Sequence, residues 1–299
     1  MKISRFLLTT ILLLPLSSVV ASDCLQQISI DELTHLKTNK FKIDDDSTRN
    51  KLALSLVSCL SHPNPSIRDG ITYEAYNHWL RNGLLNQKTI KTLLVTLQSI
   101  LSNVSKDTQG FEQPFAALVL SEVVRVDRIT PYLNNDERQI LIDITTDYME
   151  KIRDYRGFNV KEGWRHNVAH TADIFLQLVL NKYITEQQFK QILAAIKTQI
   201  APDNTFYTFG EPKRLAMPFI YIVLQNKIAL ETITQWLNEI ASSAPFDNWQ
   251  SVYKSEQGLA KLHNTRNFLN NVYVITRDSK NSQLQAIQPA LLAAIKRVN

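Results

Sequence analysis

The sequence predicts an all-α protein of stacked antiparallel helical hairpins, an α-solenoid superhelix of the HEAT-like kind. Three observations carry that expectation. Glycine is scarce, at 7 of 299 residues, and tight β-hairpin turns depend on it. Apolar residues recur three and four apart, as in Leu52, Leu56, Cys59 and Leu60, then in Leu93, Leu97, Ile100, Leu101 and Val104; that spacing lines one side of a helix. Sequence patterns also repeat at about the length of a helical hairpin.

The first element is not part of the fold. Lys2 and Arg5 precede an apolar run from Phe6 to Leu16, and Val19-Val20-Ala21 supplies small residues for cleavage. This is the layout of a signal peptide over residues 1–21. Its apolar core is shorter than the ~20 residues that span a bilayer, so no stable membrane anchor is expected. The mature chain, 22–299, is expected to be periplasmic or secreted, as one helical-repeat domain. Its only cysteines, Cys24 and Cys59, are an even pair in an oxidising compartment and predict a disulfide bond.

Helices of ten to twenty residues follow, broken at the polar clusters "SHPNPS", "RNGLLNQ", "YLNNDE", "APDNT" and "SSAPFDN". "PFAALVL" (114–120), "IFLQLVL" (174–180) and "PFIYIVL" (218–224) are versions of one helix. A second pattern starts shortly after each of these or an equivalent segment. Leu85, Ile184 and Ile228 are each followed by apolar residues at +5, +8 and +9; Leu133 keeps the last two but has Arg138 at +5. A lone hairpin cannot bury its apolar face, whereas stacked neighbours build a continuous core.

Charge excludes one class of function. The formal net charge of +5 falls by two when Lys2 and Arg5 leave, and no basic run remains, so nucleic acid is not an expected partner.

"GWRHNVAHTAD" (163–173) is the main candidate site. The expected helix runs from about Glu162 to Asn181, with His166, His170, Asp173 and Gln177 along one side and Val168, Ala172, Phe175 and Val179 on the other. Two His four apart with a nearby Asp could hold a divalent metal, with His78, Asp69 or Glu162 as a fourth ligand. Asn167 stands where an H-E-x-x-H protease has its glutamate, which excludes that chemistry. Without a metal, the same stripe is a hydrogen-bonded His–Asp pair or part of a binding groove. Arg68 and Asp69, Arg156 beside Asp154 and Gly157, and Arg214 beside Glu211 also lie near helix starts, as cap or ion-pair residues or as lining of one shared groove.

"CLSHPNPSIRDGITYEAYNHWL", "DYRGFNVKEGWRHNVAHTAD" and "EPKRLAMPF" occur in this order and resemble the bacterial proteins grouped as domain of unknown function 2785. The resemblance extends from about Leu52 to Leu292. It is carried by Arg156, Gly157, Gly163, Trp164, His166, Ala169, His170, Ala172 and Asp173, with Arg68, Asp69 and Arg214 as further signatures. It implies an all-helical repeat fold and no established activity. Arg165 departs from the family pattern, where a small residue is expected.

The leading expectation is a binding or scaffold module whose groove takes a peptide, protein or small ligand, lined by Arg68, Asp69, Arg156, Trp164, His166, His170, Asp173 and Arg214. The alternative is a metal-dependent hydrolase with His166, His170 and Asp173 as ligands or base.

Overall fold

The computed structural model describes residues 24–103 and 109–298. The signal peptide expected at 1–21 lies outside the described residues.

The described chain is mostly helical. It begins with α1 (Cys24–Gln27), α2 (Ile30–Thr38), α3 (Asp46–Ser55) and a 3-10 segment (Leu56–Ser61). Then come α4 (Pro65–Ile67), a π-helical stretch (Arg68–Tyr73), α5 (Glu74–Arg81), α6 (Gln87–Ser102), α7 (Glu112–Ile129) and α8 (Asn135–Lys151). A two-stranded hairpin, β1 (Phe158–Asn159) and β2 (Gly163–Trp164), precedes α9 (Asn167–Val179), α10 (Glu186–Ile200), α11 (Glu211–Gln225) and α12 (Leu230–Ile240). After a 3-10 segment (Ser251–Lys254), α13 (Glu256–Thr276), α14 (Ser282–Ala286) and α15 (Gln288–Val298) close the chain.

Local chemistry sets the helix starts. Asn134 and Thr185 each accept a hydrogen bond from the third helical N–H, while Glu137 and Gln188 reach back to the cap backbone. These reciprocal bonds satisfy donors that a helix end leaves open. Among the described residues no helix is long and apolar enough to cross a membrane.

α7, the central helix of the site, packs on α5, α6 and α9, and α9 packs in turn on α11. Partners across these contacts run in step. Pro114 and Arg128 of α7 meet His170 and Gln177 of α9, so the two helices are parallel. α8 and α10 are parallel likewise, with Gln139 on Gln188 and Met149 on Gln199. The repeated apolar motifs supply this packing: Phe115, Phe175 and Phe219 are all buried.

Arg138, at the +5 position that is apolar elsewhere, is buried against Asp127 with an Nε–Oδ2 distance of 2.9 Å. Asp127 also accepts from the backbone N–H groups of Tyr132 and Leu133 and from Asn181. A buried charge needs such a full set of partners.

Cys24 and Cys59 form a disulfide, with Cα atoms 4.6 Å apart. It ties α1 to the first 3-10 segment.

The helix expected from Glu162 starts instead at Asn167. Residues 158–164 pair as the hairpin, with Phe158 opposite Trp164 and Asn159 opposite Gly163. Gly163 has φ +74, a left-handed value that only glycine takes freely. Apolar periodicity does not encode that reversal, so the extended segment was hidden.

Candidate functional site

The hairpin delivers the site to α9. Beyond β2 the pairing continues, as Arg165 N–H donates to Gly157 O and His166 N–H to Arg156 O, both at 3.0 Å. Gly157 is obligatory there, because a Cβ would collide with the Phe209 ring. The chain then turns at His166, whose φ and ψ are 55° and 39°. A non-glycine residue in this region is strained, and such strain persists only where its surroundings enforce it.

Those surroundings are aromatic. The Trp164 ring stacks on His166 with centroids 4.8 Å apart, and Phe158 and Phe209 lie 5.1 and 6.0 Å from Trp164. Trp164 keeps 36% of its surface exposed. His166 is almost enclosed. Burial, then the Arg214 charge, push its pKa down to about 4, against a hydrogen bond to the Phe209 backbone. Among the described residues its Nε2 has no hydrogen-bond partner, and it lies 3.9 Å from Glu211 Oε1. Burial raises the Glu211 pKa. At 3.9 Å the two groups lie beyond hydrogen-bond reach.

His170 lies inside the protein. Its Nδ1 is 3.0 Å from Pro114 O, its ring meets Phe115 edge-on, and burial lowers its pKa to about 3. Asp173 is next along α9. It pairs with Arg214 of α11 at 2.9 Å. Burial raises its pKa to about 6 against the pull of Arg214, and the Glu122 charge adds to the rise.

The metal set expected from sequence is not assembled. Among the described residues no three His, Cys, Asp or Glu side chains are grouped to hold a metal ion. The helix begins one residue after His166, and its ring still meets that of His170 edge-on with centroids 5.6 Å apart, but no third ligand joins them among the described residues. Pro114 engages His170, and Arg214 engages Asp173.

Other groove candidates are framework. Arg68 is completely buried. Its guanidinium donates to the carbonyls of His62, Pro63, Glu162 and Trp164, pairs with Asp69 at 2.8 Å, and lies over the Phe111 and Phe115 rings. Asp69 also accepts from the Trp164 N–H, and burial raises its pKa. Arg156 is exposed and pairs with Asp154 while donating to Gln109 O, which fastens the hairpin to the start of α7. Arg165, the departure from the family pattern, is buried over Phe111 and bonded to Glu162 and Gln109 O.

The structure adds residues that the sequence reading missed. Glu122, buried in α7, accepts two hydrogen bonds from Arg81 of α5 at 2.9 and 2.5 Å. Arg128 Nε donates to Gln177 Oε1 at 2.9 Å. Arg81–Glu122 and Asp173–Arg214 therefore form a polar row across α5, α7, α9 and α11. Its signal was a lone acid within the apolar run "PFAALVLSEVV".

A family model described as protein of unknown function (DUF2785) matches residues 88–274, more than half of the chain. The chain belongs to this DUF2785 family. The matched stretch includes the hairpin, α9 and Arg214, while Arg68 and Asp69 lie outside it. No curated protein and no solved structure matches the chain.

Proposed function

We propose that this DUF2785 protein is an exported binding module. Its parallel helix contacts support reading the fold as a HEAT-like solenoid, and its leader and disulfide support a periplasmic or secreted location. The groove runs along the polar row, headed by Trp164 and His166, and takes a peptide, protein or small ligand. One observation carries this reading: the Asp173–Arg214 pair joins two helices yet leaves Arg214 44% exposed, close enough for its charge to act on His166, on which the Trp164 ring stacks. A pair serving only to lock helices gains little at such exposure, whereas polar groups converging beside an aromatic ring suit recognition.

The test is a calorimetric screen of peptides and small molecules against the full mature protein, repeated on Asp173→Asn and Arg214→Gln. The expected result is a ligand whose affinity falls at least about tenfold in either variant, as removal of one member of a charge pair in an interface does. Folding is to be retained, as checked by thermal melting. A ligand bound equally well by both variants would place the site elsewhere.

A further inference from the structure

Two half-buried arginines of α7 form no ion pair among the described residues. Arg125 follows Glu122 by three residues on the same helix face. Among the described residues it has no hydrogen bond or ion pair. Arg128, three residues further on, has only the neutral Gln177 amide, through Oε1. The nearby carboxylates are engaged elsewhere, Glu122 by Arg81 and Asp173 by Arg214. Among the described residues the four guanidinium groups of the row therefore form ion pairs with two carboxylates, and exposed Glu74 adds its charge only near Arg81. Tyr221 of α11 stands near Arg128, half-buried, its hydroxyl also without a hydrogen bond among the described residues. Burial and then the charge of Arg125 lower the Arg128 pKa, outweighing the opposing pull of Glu122 and Tyr221, as two cations held close together require. A fold gains nothing from crowding like charges in a half-buried place. An anionic group arriving from outside would relieve that repulsion, and guanidinium forks match its oxygens in pairs.

We propose that Arg125 and Arg128, with Tyr221, form an oxyanion subsite of the groove, binding a carboxylate or phosphate group of the ligand. This rests on the binding reading above and gives the ligand its charge.

The experiment uses the full mature protein and two probes, inorganic phosphate and citrate, each titrated at constant ionic strength against sodium chloride. Thermal melting is followed in wild type and in the Arg125→Gln/Arg128→Gln double variant. A saturable rise in melting temperature is expected in wild type with at least one probe, with apparent affinity at least tenfold weaker in the double variant. A response to phosphate alone assigns a phosphoryl group, and to citrate alone a carboxylate. In chloride the double variant should melt at the same temperature as wild type or higher, since it loses a repulsion. Equal responses in the two proteins, or none in wild type, would overturn the subsite. So would a collapse of the variant in chloride, which would make the arginines structural. The double variant leaves Asp173 and Arg214 intact, so a ligand that depends on that pair and binds the variant undiminished would refute the subsite alone.

Discussion

Arg68 shows how the same residue can be read in opposite ways from sequence and from structure. Beside an aspartate near a helix start, it has the profile of a groove cation. Buried to the last atom, it instead holds four backbone carbonyls of two loops together. Arg68→Ala would leave those carbonyls without a donor and Asp69 without its counter-ion. The expected loss is about 3–5 kcal/mol, the range for breaking a buried pair, read as a lower urea midpoint. Unchanged stability would return Arg68 to the groove. Sequence could name this residue but not its orientation, because Arg-Asp looks alike whether a partner loop covers it or not. His170 repeats the lesson: its spacing from Asp173 was legible, whereas the Pro114 carbonyl beside it comes from another helix.

Helices were the most legible elements, since each writes its buried side into the chain at short intervals. The +5, +8 and +9 pattern falls in α6, α8, α10 and α12, and its one exception, Arg138, proves to be a buried ion-pair partner. The hairpin before α9 was illegible because its two-residue strands are too short for alternation to register. The cysteine pair was readable from its even count and the expected compartment, and its bond gives the N-terminal elements a testable dependence. The sulfurs close a separation of 35 residues, for which loop entropy gives about 4 kcal/mol. α1 packs chiefly on the 3-10 segment that carries Cys59, and α2 on the π-helical stretch. Cys24→Ser should therefore loosen α1 and α2 first. Hydrogen exchange is expected to quicken over residues 24–38 while α7 and α9 keep their protection. A uniform rise through α9 would mean that the bond stabilises the whole array rather than its end.

Taken together, the ionisable groups around α9 and α11 set opposing pH dependences on the entire fold. His166 and His170 have folded pKa values of about 4 and about 3, below the ordinary 6.5 of an unfolded chain. Their contribution to stability is complete above pH 6.5. As pH falls below that, the unfolded chain takes up protons that the native rings refuse, and each ring costs about 1.4 kcal/mol per pH unit. Asp173 acts in the reverse sense. Its folded pKa of about 6 lies above the ordinary 3.8, so between those values the native state holds a proton that the unfolded chain releases, and stability rises as pH falls. Glu211, also raised, works in the same direction. Wild type should therefore decline between pH 6 and 4 less steeply than the two histidines alone would require, because the carboxyl groups offset part of the histidine loss. Asp173→Asn removes one of these offsets. Its stability, from urea unfolding at each pH, is expected to fall more steeply than wild type by about 1.4 kcal/mol per unit across that window. Parallel declines in the two proteins would mean that Asp173 titrates as an ordinary surface carboxylate, and the half-buried row across the four helices would then be open to water along its length.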